Sequence, residues 1–307
     1  MTTLLLGGTG FIGARIAHRR VESGEAVVSL DIVPDAASVA SLRDRVTLLR
    51  GDVGAIEDIL SAIKRYRVER VIDMAYILNS ESDQAAHTAV RVNALGVSNA
   101  FEAARLLGVE RVIYASSIAV YGDQSLYGGR PVTEGDFPSP GSLYGAAKLL
   151  NEYEAALYRQ SCGLVAVGIR VGVVSGHGRL RGQGLWAGHF ASYPATGRPA
   201  ALPFSRDTRV SLIHVDDVAA LFARIATAPA PQHALYNTGG ENVSLDELAA
   251  EVRRHIPGAA YTFGAKDSNL PHAVDSTRAE GEFGWARRPL SEAIAEHIAR
   301  AREATVG

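Results

Sequence analysis

The stretch that decides the fold is Thr3-Leu4-Leu5-Leu6-Gly7-Gly8-Thr9-Gly10-Phe11-Ile12-Gly13. An apolar run enters a cluster of glycines and leaves as a helical pattern, which predicts a strand over Thr3–Leu6, a tight turn and a helix over Ile12–Glu22. Glycines at 7, 10 and 13 allow that turn, let backbone approach a pyrophosphate and let helix pack on strand. The helix N-terminus then offers amide donors and a favourable dipole to an anion. Asp31 ends the next predicted strand, 18 residues after Gly13. Its carboxylate suits the two hydroxyls of an adenosine ribose and repels a 2′-phosphate. Ile32 and Val33 offer such a phosphate no cation, so the expected cofactor is NAD rather than NADP. Asp31 also reads as an ordinary strand-end residue. Asp52, in Gly51-Asp52-Val53, reads equally as an acceptor for the adenine amine and as a helix N-cap before Ala55.

Outward from this turn the first half alternates apolar runs with helical patterns. Strands are expected at Thr3–Leu6, Ala26–Asp31, Val46–Arg50, Arg70–Met74, Arg111–Ser116 and Val165–Val171. Helices are expected at Ile12–Glu22, Ala55–Tyr66, Thr88–Leu107 and Leu143–Ser161. That alternation predicts an α/β fold, a Rossmann-like doubly wound parallel sheet. Its Val/Ile/Leu-rich strands are those of a sheet covered on both faces. After Gly172 the texture changes. Residues 176–210 are rich in Gly, Arg and aromatics, show little period, and read as a loop-rich substrate segment. Val210–Val215 and Ala234–Asn237 read as strands; Asp216–Thr227, Val243–Ile256 and Leu290–Arg302 read as helices. Residues 1–171 with about 210–237 are therefore expected to form an NAD-binding Rossmann domain. About 172–209 and 238–307 would form a smaller, discontinuous C-terminal substrate-binding lobe.

The bulk numbers narrow the class. The 307 residues carry 47% hydrophobic and 21% charged side chains and a net charge of -2. Nothing there calls for nucleic acid or a membrane surface as partner. The single cysteine, Cys162, excludes an internal disulfide and a CxxC zinc or redox site, and no metal site is expected. The N-terminal apolar run lacks a basic flank and reads as a strand rather than a signal peptide. No stretch is apolar and long enough to span a bilayer. A reducing, cytoplasmic setting and a small-molecule substrate are the expectation.

Chemistry enters at Ser142-Leu143-Tyr144-Gly145-Ala146-Ala147-Lys148. Residues four apart share a helix face, so the Tyr144 phenol and Lys148 ammonium lie side by side. A free tyrosine titrates near pH ~10, and bringing it to ~7 takes about 4 kcal/mol. One cation at ~5 Å supplies roughly 3 kcal/mol at an effective dielectric of ~20. Lys148 and an oxidised nicotinamide together are thus expected to make Tyr144 an acid/base near neutrality. Ser116 and Ser117 close the strand that begins at Arg111, where an open α/β sheet places its ligands. A serine there can bond a substrate oxygen.

Together these motifs resemble the extended short-chain dehydrogenases/reductases, and more narrowly the NAD-dependent epimerase/dehydratase group. The resemblance spans nearly the whole chain. Besides the motifs above it rests on Ser116-Ser117-Ile118-Ala119-Val120-Tyr121-Gly122, Ile169-Arg170, His214-Val215-Asp216-Asp217-Val218-Ala219 and Tyr236-Asn237-Thr238-Gly239-Gly240. It implies that Ser117 contacts substrate, that Tyr144 is the acid/base and that Lys148 is its partner. Cofactor contacts are expected at Gly7, Gly10, Phe11, Ile12, Gly13, Asp31, Asp52, Val53, Ala75, Tyr144 and Lys148. Substrate contacts are expected at Ser116, Ser117, Trp186, His189 and Arg209. A homodimer through helices at about 88–107 and 143–161 is implied as well.

Departures from the family pattern narrow the reaction. Dehydratases of the group carry an acidic pair where this chain has Ile118 and Ala119, which disfavours dehydration. Nucleotide-sugar epimerases usually show an Asn where Val173 stands. They tend to carry a phosphate-holding Arg where Val210 stands, with Arg209 one position off. Arg179, Arg181, Arg206 and Arg209 read either as substitutes for that cation or as a solvated basic loop. Trp186, His189, Phe190 and Tyr193 read as pocket lining or as packing of the small lobe. His214, in an apolar strand, reads as structural; Asp216 and Asp217 read as a helix N-cap and a first-turn acid. The expected function is hydride transfer between NAD and a secondary alcohol or ketone, with a sugar-like, polyol or similar small substrate. The alternatives are an NAD-dependent nucleotide-sugar 4-epimerase and a non-catalytic NAD-sensing regulator.

Overall fold

A computed structural model describes residues 1–78, 84–180 and 182–306. Its centre is a seven-stranded, all-parallel sheet. Six of its strands come from the first 171 residues: β1 Thr2–Leu6, β2 Ala26–Asp31, β3 Val46–Arg50, β4 Arg70–Asp73, β5 Arg111–Ser117 and β6 Val165–Val171. Each lies within a residue of its sequence expectation. The seventh, β10 Leu235–Asn237, pairs with β6 at the edge. Between them in the chain come β7 Val173–Ser175, β8 Ala200–Phe204 and β9 Arg209–His214.

The sheet order is β10-β6-β5-β4-β1-β2-β3. The chain runs outward through β2 and β3, then returns to place β4 on the other side of β1. The crevice between the C-terminal ends of β1 and β4 is thus the point where strand order reverses, the place where such sheets bind ligands. Helices cover both faces: α1 Phe11–Glu22 and the helix Val215–Thr227 on one, α2 Ile56–Tyr66 and α3 Gly96–Leu107 on the other. Leu5, Ile72, Ile113 and Ile169 pack beneath the first pair. Leu4, Leu6, Val71 and Val112 pack beneath the second. Alternate residues of one strand thus serve opposite faces. The helix Ala86–Val90 passes through a π turn at Arg91–Leu95 into Gly96–Leu107.

The second half departs from expectation. Residues 176–210 hold a helix, Trp186–Ala195, and strand β8, where little regular structure was expected. That helix is apolar on nearly every side and buried among Leu202, Leu212, Leu248 and Ile294, so it lacks the amphipathic period that reveals a surface helix. Strand β9, grouped from sequence with the nucleotide-binding portion, pairs instead with β7 and with β11 Glu241–Ser244 in a three-stranded sheet. A further pair, β8 with β12 Tyr261–Lys266, completes the small lobe.

Candidate active site

The turn after β1 and the segment after β4 meet closely. Gly7 has φ +73, and a Cβ there would lie 2.9 Å from the Ala75 nitrogen and the Met74 carbonyl. Only glycine takes that conformation in that space without strain. Gly13 packs so tightly on Gly7 and Gly8 that a side chain would displace backbone. Helix α1 begins with Gly10 as its N-cap, no capping side chain and no acidic residue in its first turn. Its first amides therefore face the cleft unmatched, which fits a bound pyrophosphate. The Phe11 ring lies against Gly176 and so links this turn to the segment that follows β7.

Asp31 stands at the end of β2. Its Oδ2 accepts from the Thr9 amide at 3.2 Å and the Ser29 hydroxyl at 2.7 Å. Burial raises its pKa, against the pull of both donors. Asp52 is not the helix cap, a position taken by Ala55. Its Oδ1 accepts from the Gly54 amide at 2.8 Å and its Oδ2 pairs with Arg91 at 2.7 Å. The Val53 side chain is buried in the sheet–helix core and its carbonyl is held by Asn99 at 2.8 Å. The Ala75 amide is committed to Asp73 Oδ1 at 2.9 Å. Glycine turn, open helix end and strand-end carboxylate together fit a dinucleotide with a free adenosine ribose, as NAD has.

The helix Leu143–Cys162, α4 below, starts at Ser142, whose hydroxyl accepts from the Gly145 amide at 3.1 Å. Gly145 lets this first turn press on the end of β5, since a Cβ there would lie 2.6 Å from the Ala119 carbonyl. The result brings the Tyr144 phenol close to Ser117, within the electrostatic reach of the Arg179 guanidinium. Lys148, one turn on, is completely buried. Its Nζ donates to the Ala115 carbonyl at 2.5 Å and lies 5.2 Å from the Tyr144 ring centroid, with the Tyr76 ring packed against it. Ser117, Tyr144 and Lys148 are thus brought together.

Their electrostatics differ from expectation in one respect. Burial pushes Tyr144 up to about 12, opposed by the Ser117 hydrogen bond and by Arg179 rather than by Lys148. Burial pushes Lys148 well below its ordinary value, opposed by Asp73 and then Glu152. Desolvation of both members outweighs their mutual effect. Arg179, whose Nη1 donates to the Val174 carbonyl at 2.9 Å, makes no ion pair among the described residues. Sequence reasoning did not see it as a neighbour of the phenol, because a loop residue's aim is set by the tertiary turn around Gly184 and Gly188, which press on its side chain.

Ser116 and Ser117 part company. Ser116 donates into the core, to Glu152 Oε1 at 2.6 Å, and Glu152 is paired with Arg170. Arg170 Nη1 also donates to the Tyr121 hydroxyl at 2.7 Å, which lies 2.9 Å from Asn237 Oδ1. Ile118 and Ala119 are buried. Asn93, in the π turn, holds the Ile77 main chain through both side-chain atoms at 2.8 Å, and its carbonyl accepts from Asn151 at 2.9 Å. Two asparagines on the inward faces of helices were the signal that sequence reasoning passed over.

The remaining candidates lie elsewhere. Trp186 is buried in the small-lobe core, edge-on to Phe204. His189 stacks on Tyr193 at 4.2 Å. Arg209 is tied to Asn242 at 2.7 Å and Glu247 at 3.1 Å on the surface, and Arg206 to Asp246 at 2.8 Å. Arg181 lies outside the described residues. His214, not Asp216, caps the helix Val215–Thr227, its Nδ1 accepting from the Asp216 amide at 3.3 Å. Asp216 and Asp217 are first-turn acids bonded to Arg300 at 3.1 Å and Arg288 at 2.8 Å. Among the described residues no cluster could hold a metal ion, and no helix is long and apolar enough to cross a membrane.

Residues 3–239 match a family model described as "NAD dependent epimerase/dehydratase family". The UDP-glucose 4-epimerase of Mycolicibacterium smegmatis is 28% identical over 97% of this chain and 97% of its own. The UDP-glucose 4-epimerase of Thermus thermophilus, solved with NAD, superposes with a TM-score of 0.88 at 26% identity, covering 99% of this chain and 100% of that one. A holo L-threonine dehydrogenase from Cupriavidus necator superposes with a TM-score of 0.88 over 98% of this chain and 99% of that one. At 22% identity that last likeness is one of fold alone.

Proposed function

Since the chain belongs to the NAD-dependent epimerase/dehydratase family, we propose that it is an NAD-dependent dehydrogenase/reductase acting on a small secondary alcohol or its ketone that carries an anionic group. One observation carries this reading: the charge of Arg179 acts on the Tyr144 phenol and Arg179 has no carboxylate partner among the described residues, while Arg206 and Arg209 are committed to Asp246, Glu247 and Asn242. A nucleotide-sugar pyrophosphate needs fixed cations at some distance from the reacting carbon. A short carboxylate or phosphate substrate needs one close to it, and Arg179 is that cation.

The seven-stranded part would carry NAD and the small lobe would close over substrate. When bound, NAD accepts or returns the hydride and, in its oxidised form, adds a positive charge to the site. Ser117 bonds the substrate oxygen. Tyr144 takes that oxygen's proton in oxidation and returns it in reduction. Without cofactor its phenol stays protonated at neutral pH, the form ready to donate. Arg179 favours the phenolate that oxidation requires, and Lys148 adds its charge on the same side while it keeps its proton.

A homodimer accords with this reading. Leu150, Tyr153 and Leu157 are 53%, 60% and 62% exposed at helical spacing on α4, and Val90 and Leu95 are each 47% exposed on the neighbouring helix. An apolar stripe of that kind supports pairing with a second copy.

The second reading, a nucleotide-sugar 4-epimerase, is favoured by the names of the relatives. A substrate panel separates the two: hydroxy acids, amino alcohols, polyols and phosphorylated alcohols with added NAD, against nucleotide sugars without it. NADH formation that is lost in Tyr144→Phe, with NAD binding retained, supports the dehydrogenase. Interconversion of a nucleotide-sugar pair with no added cofactor would show the epimerase instead.

A further inference from the structure

Lys148 is buried completely, yet among the described residues it makes one hydrogen bond, to the Ala115 carbonyl at 2.5 Å, and no ion pair. A buried ammonium needs a balancing charge. Glu152, one turn along α4, is already neutralised: both its oxygens meet Arg170, at 2.8 and 2.6 Å. The carboxylate left over is Asp73. It ends β4 and is completely buried, and in the register of the sheet it lies opposite Tyr114, next to the Ala115 whose carbonyl holds Lys148. Its Oδ1 takes the Ala75 amide, and its Oδ2 has no hydrogen-bond partner among the described residues. Around the pair stand Tyr76, Tyr114 and Tyr144, whose phenols titrate high, and the Glu152–Arg170 pair. Among the described residues the charge acting on Asp73 is that of Lys148, and those acting on Lys148 are Asp73 and then the already paired Glu152.

We propose that Asp73 is the counter-ion of Lys148, a positioning residue that keeps the ammonium charged at the dry base of the site. It rests on the reading of Lys148 as the partner of Tyr144. Burial raises Asp73 to about 7 and Lys148 pulls it back down, as Asp73 pulls Lys148 up. Without Asp73 the lysine would shed its proton at lower pH and cease to favour the Tyr144 phenolate.

The test is a double-mutant cycle in melting temperature, run at mildly alkaline pH on Asp73→Asn, Lys148→Met and the pair together. It needs no turnover, so it is read whether or not the dehydrogenase reading holds. The expected result is that Lys148→Met melts low, because it strands the Asp73 charge, and that adding Asp73→Asn raises it again. If Asp73→Asn alone does not fold, recovery of a folded double variant still carries the point. A double variant that melts no higher than Lys148→Met would overturn the proposal. In turnover, the alkaline shift of the Asp73→Asn pH profile, with kcat reduced about tenfold to hundredfold and KM held, is what a merely structural residue would not produce.

Discussion

Arg170 and Glu152 meet in a two-pronged ion pair, Nε to Oε1 at 2.8 Å and Nη2 to Oε2 at 2.6 Å, with neither side chain more than 4% exposed. Through Ser116 and Tyr121 the same pair ties α4 to β5 and to the segment that follows it. The helix bearing Tyr144 and Lys148 is thereby clamped to the strand bearing Ser117. Glu152→Gln leaves a buried guanidinium without its charge partner, which costs about 3–5 kcal/mol. At about 2 °C per kcal/mol for a chain of this size, that lowers Tm by roughly 6–10 °C. Replacing both partners together, with Arg170→Met, costs less than the sum of the singles. Calorimetry on the cycle checks this.

Arg179→Ala should weaken binding of an anionic substrate while sparing NAD. Hydrogen bonds to a charged group contribute about 1.5–3 kcal/mol, a rise in KM of about 10- to 150-fold. Cofactor affinity, measured by titration, should stay near wild type. Unchanged KM for every anionic substrate would remove Arg179 from the substrate site.

The pH dependence of stability has an assignable source in the small lobe. His297 is buried against Phe190, its Nε2 3.0 Å from the Gly188 carbonyl, and burial drives it down to about 3. His214, also buried, is driven down to about 4. In the unfolded chain both take a proton near pH ~6.5. Their contribution is therefore intact above that value and lost as pH falls below it, at about 1.4 kcal/mol per pH unit for each histidine. Urea unfolding of His297→Gln across this range should show a slope shallower by that amount. An unchanged slope would mean that other groups carry the acid sensitivity.

Leu157→Asp places a charge in the middle of the exposed apolar stripe of α4. If that stripe pairs two copies, light scattering should give a dimer for wild type and a monomer for the variant. A variant that remains dimeric would move the interface elsewhere.

How much of this was legible depends on where the determining force lies. β1 to β6 were readable to within a residue because a sheet buried on both faces demands unbroken Val/Ile/Leu runs. Tyr144 and Lys148 were readable from their four-residue spacing; strand-end position offered both Ser116 and Ser117, and the resemblance chose Ser117. Trp186–Ala195 was missed because a helix buried all round has no polar face to set a period. β7 and β11 were missed because they are short and are specified by pairing with β9 across the chain. Asp73 looked like one more strand residue; its depth comes from β1 and β5 closing over it. Arg209 looked available, and only the fold shows Glu247 and Asn242 beside it.

A dehydrogenase that passes hydride between NAD and its substrate must exchange its cofactor at each turnover. The most direct measurement is to denature the purified protein and assay the nucleotide released. A dehydrogenase predicts little retained NAD, with added NAD binding reversibly. An equimolar amount of NAD retained through extensive dilution would contradict the account, since an enzyme that keeps its cofactor through a ketone intermediate is an epimerase.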